Sequence, residues 1–264
     1  MLTKIKIGFK VLSQVYNWDC IFLHYLGWKK NTCTVKLRNG TKCIIRNKSD
    51  AIAFLENFFL ETYEQGKEFQ IKDNDIILDV GAHIGCFTLY ASKKINKGKI
   101  FAFEPTSESF NVLKQNVELN QLKNIHIQNA GVLKESGTSV IYVDKNNEIG
   151  NSLFLKNKNM VEEKIDIISI EDILKKYDLN SVDLLKLDCE GAEYDIILNL
   201  PENILNKFHK IAMEVHSIEN FTIHDIEKYL EKNNFNVKIK YLLTETEKNW
   251  PMLYAINKKF KKND

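Results

Sequence analysis

The chain has few of the residues that interrupt or brace a fold. Its prolines are three, Pro105, Pro201 and Pro251, with no Pro-Pro pair. With no low-complexity stretch and no internal repeat, this excludes a flexible hinge or an extended linker. Cysteines number five, Cys20, Cys33, Cys43, Cys86 and Cys189. They form no C-x-x-C pair and no zinc-finger spacing. An odd count at irregular spacing reads as reduced cysteine use in a cytoplasmic protein. A large charge excess is also lacking. Lys+Arg of 37 against Asp+Glu of 35 leave +2, which argues against a dedicated nucleic-acid binder. The one dense basic cluster, Lys258-Lys259-Phe260-Lys261-Lys262, reads as a solvated tail. Finally, no long apolar run is unbroken. Val11 to Trp28 is interrupted by Asp19, and no small-residue cleavage site follows it. Residues 1–28 therefore read first as a helix packed on the body of the protein. The second reading is an interfacial helix giving weak membrane association.

What is present is the composition of a soluble globular protein, 44% hydrophobic and 27% charged. Residues 1–70 read as accessory helices and a hairpin, and residues 71–264 as one α/β domain. In the first part, Val35-Lys36-Leu37 and Cys43-Ile44-Ile45 flank Asn39-Gly40, a hairpin signal. A loop of Asn39 to Thr41 would set Val35 opposite Ile45 and Leu37 opposite Cys43. Ser49 or Asp50 then caps an apolar-periodic helix through Phe54, Phe58 and Glu61. From Asp75 the pattern alternates. Strands are expected at 76–80, 99–103, 125–128, 182–187, 210–215, 236–241 and 252–257. Helices are expected at 84–94, 107–120, 170–177, 192–199 and 222–232. Thr138 to Val143 and Lys164 to Ile170 look like inserted β segments. Apolar runs broken only by single charges, such as Val182 to Leu187, are typical of buried parallel strands. Polar residues end five of the strands: Asp79, Glu104, Asn129, Asp188 and Glu214. In an open α/β sheet that edge binds ligands.

The most informative stretch is Ile77-Leu78-Asp79-Val80-Gly81-Ala82-His83-Ile84-Gly85. It is a strand, a small-residue turn and a helix start, an order that brings free N–H groups close to a ligand. Glu104 follows at the spacing of a ribose-binding carboxylate. The dinucleotide pattern G-x-G-x-x-G is missing, because His83 and Cys86 stand where its second and third glycines would be. A cofactor without pyrophosphate, S-adenosylmethionine (SAM), suits this loop better than NAD. An ordinary tight turn is the bland alternative. Asp188-Cys189-Glu190-Gly191-Ala192-Glu193 crowds three carboxylates at the next strand end, as a cation or donor between them would allow. Helix capping would explain Glu193 alone. Glu214-Val215-His216 puts an acid and a histidine on one side of a strand, a candidate base or ligand pair. Gly150-Asn151-Ser152 could touch the methionine part of SAM or be a plain turn. His24, His126, His209 and His224 lack such company.

These strings together resemble the FkbM family of SAM-dependent methyltransferases. Asp188-Cys189-Glu190-Gly191-Ala192-Glu193 is the specific one. Asp79 to Gly85, Phe103-Glu104-Pro105, Asn129-Ala130, Gly150-Asn151-Ser152 and Glu214-Val215-His216 agree, over about residues 45–258, with Arg46 to Asp50 and Tyr63 upstream. His83 departs from the family, where Asn is more usual. The resemblance implies a class I, Rossmann-like α/β fold with a seven-stranded, mostly parallel sheet in the order 3-2-1-4-5-7-6, the last strand antiparallel. It implies SAM held by Asp79, Gly81, His83, Gly85, Glu104, Asn129 and Asp188, and methyl transfer to a hydroxyl of a sugar, glycan or small natural product, as in polysaccharide biosynthesis. Asp188, Glu214 and His216 are the catalytic candidates. Either His216 is a general base, or the three hold a divalent cation, Mg²⁺, Mn²⁺ or Ca²⁺. The competing readings are an NAD-type oxidoreductase or epimerase and a non-catalytic SAM-binding protein. A nucleic-acid methyltransferase is disfavoured by the missing Pro-Pro and the acidic site.

Overall fold

The computed structural model describes residues 2–29, 31–144, 160–243 and 249–260. Gly150-Asn151-Ser152 lies outside them. The chain opens with helices α1 (Leu2–Gln14) and α2 (Trp18–Tyr25), hairpin strands β1 (Cys33–Lys36) and β2 (Lys42–Ile45), and helix α3 (Lys48–Phe58). The alternating part follows as β3 (Ile76–Val80), α4 (Cys86–Ser92), β4 (Lys99–Phe103), α5 (Ser107–Leu119) and β5 (Ile125–Gln128). Three strands come next, β6 (Gly131–Leu133), β7 (Gly137–Asp144) and β8 (Met160–Ser169), then α6 (Ile170–Lys176) and β9 (Val182–Leu187). The chain continues with α7 (Glu193–Ile197), α8 (Glu202–Leu205), β10 (Phe208–Glu214), α9 (Ile223–Lys232), β11 (Phe235–Leu243) and β12 (Asn249–Asn257).

The central sheet has seven strands in the order β5-β4-β3-β9-β10-β12-β11. Numbered along the chain, that is 3-2-1-4-5-7-6, as expected. Pairs β4/β5, β3/β4, β3/β9 and β9/β10 are parallel, and β12 runs antiparallel to both its neighbours. A smaller sheet, β6-β8-β7, carries the inserted segments.

Alternation along the strands sorts the core into two layers. Leu78, Leu185, Ile211 and Met213 face one layer, together with α6, α7 and α9. Ile77, Leu184 and Ala212 face the other, which holds α4 and the accessory residues Val15, Ile21, Val35, Ile45 and Phe54. Each such buried aliphatic or aromatic side chain is worth about 1.5–3 kcal/mol. The same parity places Asp79, Lys186, Asp188 and Glu214 towards the accessory layer, at the carboxyl edge of the sheet. Asn116 of α5, fully buried, ties the two parts together. It accepts from the Ile44 N–H at 2.7 Å and donates to the Ile84 carbonyl at 2.8 Å.

Three local expectations are corrected. Val35 pairs with Cys43, and Cys33 with Ile45, so the hairpin is two residues out of the expected register. A shift of two keeps every side chain on its face, so apolar pattern alone cannot choose. The turn chooses: Leu37 N–H reaches Thr41 O at 2.9 Å, Asn39 Oδ1 accepts from Thr41 N–H at 3.0 Å, and Gly40 sits at φ +88°. Helix α3 is capped by Asn47, whose side chain accepts from Asp50 N–H, rather than by Ser49 or Asp50. Cys20 and Cys33 form a disulfide, against the expectation of reduced cysteines throughout. Packing of α2 on β1 brings their Cα atoms to 6.4 Å, within bridging range. Cys43, Cys86 and Cys189 are free.

Candidate active site

The first loop follows β3. Gly81 (φ +74°) and Ala82 both donate to the Phe103 carbonyl at 3.0 Å, which folds the chain sharply across β4. A Cβ on Gly81 would lie 1.8 Å from the Asp188 carbonyl, so only glycine lets the loops after β3 and β9 meet. Gly85 (φ +87°) starts α4, with Leu113 pressed against its Cα.

Asp79 is wholly buried and its two oxygens are engaged. Thr88 Oγ1 donates to one at 2.5 Å and Lys186 Nζ lies 3.1 Å from the other. Its contribution is to hold the loop from beneath. Lys186, also buried, donates to the Gly81 carbonyl at 2.6 Å and lies 3.8 Å from Asp188 Oδ2. Burial lowers the Lys186 pKa, but Asp79 and Asp188 together outweigh it and hold the ammonium above its usual value.

Glu104 sits at the end of β4. One oxygen accepts from the His83 N–H at 2.8 Å; the other accepts from the Thr106 N–H at 3.0 Å and its hydroxyl at 2.7 Å. Asn129 supports this corner through its side-chain amide, which donates to the carbonyls of Glu104 (2.8 Å) and Pro105 (2.9 Å). His83, at φ +52°, places Nε2 3.3 Å from Asp50 Oδ1, and Arg46 grips the same carboxylate at 2.9 and 3.0 Å.

The second loop carries the crowded acids. Glu193, fully buried, accepts from the Cys189 N–H at 2.7 Å and the Gly191 N–H at 2.9 Å, so it orders the loop. Asp188 accepts from Tyr63 Oη at 2.8 Å. His216 is ringed by acids: Nδ1 is 3.2 Å from Glu193, and Nε2 is 3.5 Å from Glu190 and 3.8 Å from Glu214. Burial lowers the His216 pKa, yet Glu193, Glu190 and Asp188 raise it well above the ordinary 6.5. Glu214 is lifted well above 4.5 by burial and then by Asp188, with His216 opposing. Glu56 of α3 is pushed up to about 7 by burial and by Asp188.

The structure thus brings Asp79, Gly81, His83, Gly85, Glu104 and Asn129 into one corner, and Asp188, Glu214 and His216 into the next. Among the described residues, no three His, Cys, Asp or Glu side chains are gathered as a metal ion requires. The expected divalent-cation set of Asp188, Glu214 and His216 is therefore not met. Both ring nitrogens of His216 turn to carboxylates, and a protonated imidazole cannot ligate. Residues missed from sequence are Lys186, Thr106, Glu56 and the Arg46–Asp50 pair as partners of the site. Lys186 carried a signal, a lone cation inside an apolar strand.

The strand order 3-2-1-4-5-7-6 with β12 antiparallel is the class I, Rossmann-like α/β architecture. Residues 79–237 match the methyltransferase FkbM domain. The chain belongs to the FkbM methyltransferase family, whose members are SAM-dependent. Curated relatives include Methyltransferase 1 of Beauveria bassiana, 28% identical over 54% of this chain and 65% of that protein. The chain thus spans just under two thirds of that relative. The 31-O-demethyl-FK506 methyltransferase FkbM of Streptomyces tacrolimicus is 20% identical over 77% of this chain and 89% of its own length. The hexuronic acid methyltransferase AglP of Haloferax volcanii is 23% identical over 66% and 68%.

The residues fit SAM. A carboxylate offers about four acceptor positions, and the three donors on Glu104 leave one for a ribose hydroxyl, on the oxygen that His83 shares.

Proposed function

We propose that the protein transfers a methyl group from SAM to a hydroxyl oxygen of a sugar, glycan or small natural product. The observation that carries this reading is the meeting of Asp188, Glu214 and His216 beside the Gly81–Gly85 loop. Bound SAM supplies an electrophilic methyl carbon and a neutral thioether leaving group. The protein's tasks are then to align the acceptor and to take its proton. Glu214 suits the second task, because burial makes its carboxylate a stronger base than usual. His216, held protonated, orients Glu214 and balances the acids around it. This revises the direct base role expected for His216. One relative is named for an O-demethylated substrate and another for hexuronic acid, which supports oxygen as the target atom. The rim of Glu56, Asp188, Glu190 and Glu214 disfavours phosphate-rich acceptors such as nucleic acid. The missing dinucleotide pattern and the family leave the oxidoreductase reading unsupported.

The test is transfer of label from methyl-labelled SAM to a panel of sugars and polyols, with SAM affinity measured by calorimetry. The expected product is an ether methyl that survives alkali. A base-labile ester, or label on nitrogen, would overturn the hydroxyl assignment. Full turnover by Glu214→Gln would remove Glu214 as proton acceptor. Tight SAM binding with no transfer to any acceptor class would favour the non-catalytic reading.

A further inference from the structure

Helix α2 breaks the rule for a surface helix. Its inward face is occupied: Cys20 is bonded to Cys33, Ile21 is 2% exposed, and buried His24 bonds the Cys20 carbonyl at 2.7 Å. The opposite stripe should then be polar. Instead it is Trp18, Phe22 and Leu26, at positions i, i+4 and i+8, all exposed, with the Trp18 and Phe22 rings edge to face at 6.4 Å. Trp28 follows at 74% exposure, and α1 and its exit add exposed Phe9, Leu12 and Tyr16. Single exposed apolar residues need no explanation, but seven within twenty consecutive positions do.

The charge carried by this segment of the sequence selects the occupant. Residues 1–30 hold Lys4, Lys6, Lys10, Lys29 and Lys30 against Asp19 alone, whereas the remainder of the chain is net acidic. Lys36 and Arg38 of the neighbouring hairpin are exposed, with the Arg38 guanidinium 4.7 Å from the Tyr16 ring. Protein interfaces deplete lysine. A bilayer surface combines an acyl boundary for Phe and Leu, a headgroup level for Trp and Tyr, and anionic lipid for Lys and Arg. No helix among the described residues is long and apolar enough to cross a membrane. We propose that the exposed face of α1 and α2 docks the protein peripherally on an anionic lipid bilayer, lying in its interface. The catalytic edge is built from other elements, so docking is a function separate from the chemistry.

The test uses the full chain and vesicles of phosphatidylcholine alone or mixed three to one with phosphatidylglycerol. Co-sedimentation at low salt should favour the anionic vesicles by about tenfold or more, and high salt should release the protein. Brominated lipid should quench the fluorescence of the bound wild type through Trp18 and Trp28. Trp18→Ser/Phe22→Ser should bind roughly tenfold more weakly. Should that variant fail to fold, Trp28→Ser and wild-type quenching give the answer. Three results would each overturn the proposal: no binding to anionic vesicles, binding without quenching, or a wild-type dimer in sedimentation equilibrium that Trp28→Ser makes monomeric. The last would identify a second copy of the chain as the occupant.

Discussion

The corner built on the ends of β3 and β4 and the corner built on the ends of β9 and β10 carry acids to the same edge of the sheet and use them differently. In the first, Asp79 and Glu104 point at the protein's own donors: Thr88, Lys186, the His83 N–H and Thr106. Their charge is consumed in shaping a cradle. In the second, Glu193 alone does this work. Asp188 accepts from Tyr63 and lies near Lys186, Glu190 and Glu214 face His216, and burial raises Glu214. Carboxylates thus become structural or reactive according to how many of the protein's own donors reach them. Where donors are plentiful the carboxylate is spent on geometry; where they are few it stays available for protons.

The comparison breaks most completely at Gly81, where the two corners touch. Gly81→Ala must push its Cβ out of the Asp188 carbonyl while holding a positive φ. A loss of at least about 5 kcal/mol is expected, seen as little folded protein or a melting point lowered by roughly 10 °C or more. Next comes Lys186→Met, which strands buried Asp79 without its cation; about 3–5 kcal/mol should be lost in denaturant melts. Adding Asp79→Leu should recover much of that loss, and no recovery would contradict the pairing.

Glu104→Ala sharpens the contrast, since it touches the first corner alone. It should weaken SAM by roughly 10- to 150-fold in calorimetry, the worth of a charge-assisted hydrogen bond of about 1.5–3 kcal/mol. Unchanged affinity would remove Glu104 from the donor site.

His216→Gln belongs to the second corner and has the smallest effect, about 1.5 kcal/mol. Its size depends on pH. The folded His216 pKa lies well above the unfolded 6.5. Its stabilisation is complete below pH 6.5 and fades as pH rises through the folded value. The wild type should exceed the variant by more at pH 6 than at pH 9 in thermal melts. A gap that widens with pH would contradict the protonated state.

Much of the frame was legible in the chain. Strands 76–80, 99–103, 125–128 and 182–187 were expected at their observed limits, because they read as short, mainly apolar runs ended by a polar residue. The strand-end residues of the site follow from that. What stayed hidden depends on contacts between distant segments. Lys186 pairs with Asp79 across 107 positions, and no local pattern announces it. Glu56 becomes unusual only because α3 packs beside Asp188. The hairpin register and the Cys20–Cys33 bridge were decided by turn chemistry and docking, where apolar periodicity is silent.

Asn116 has a consequence for which substitutions the chain tolerates. Its single amide joins segments 72 and 32 positions away, with its oxygen serving the hairpin and its nitrogen the cofactor loop. Aspartate would aim a second acceptor at the Ile84 carbonyl, and leucine would strip both bonds at once. Variation in the hairpin is therefore answerable to a residue that neither belongs to it nor touches the chemistry. Position 116 needs an acceptor and a donor on one short side chain, a demand that asparagine meets.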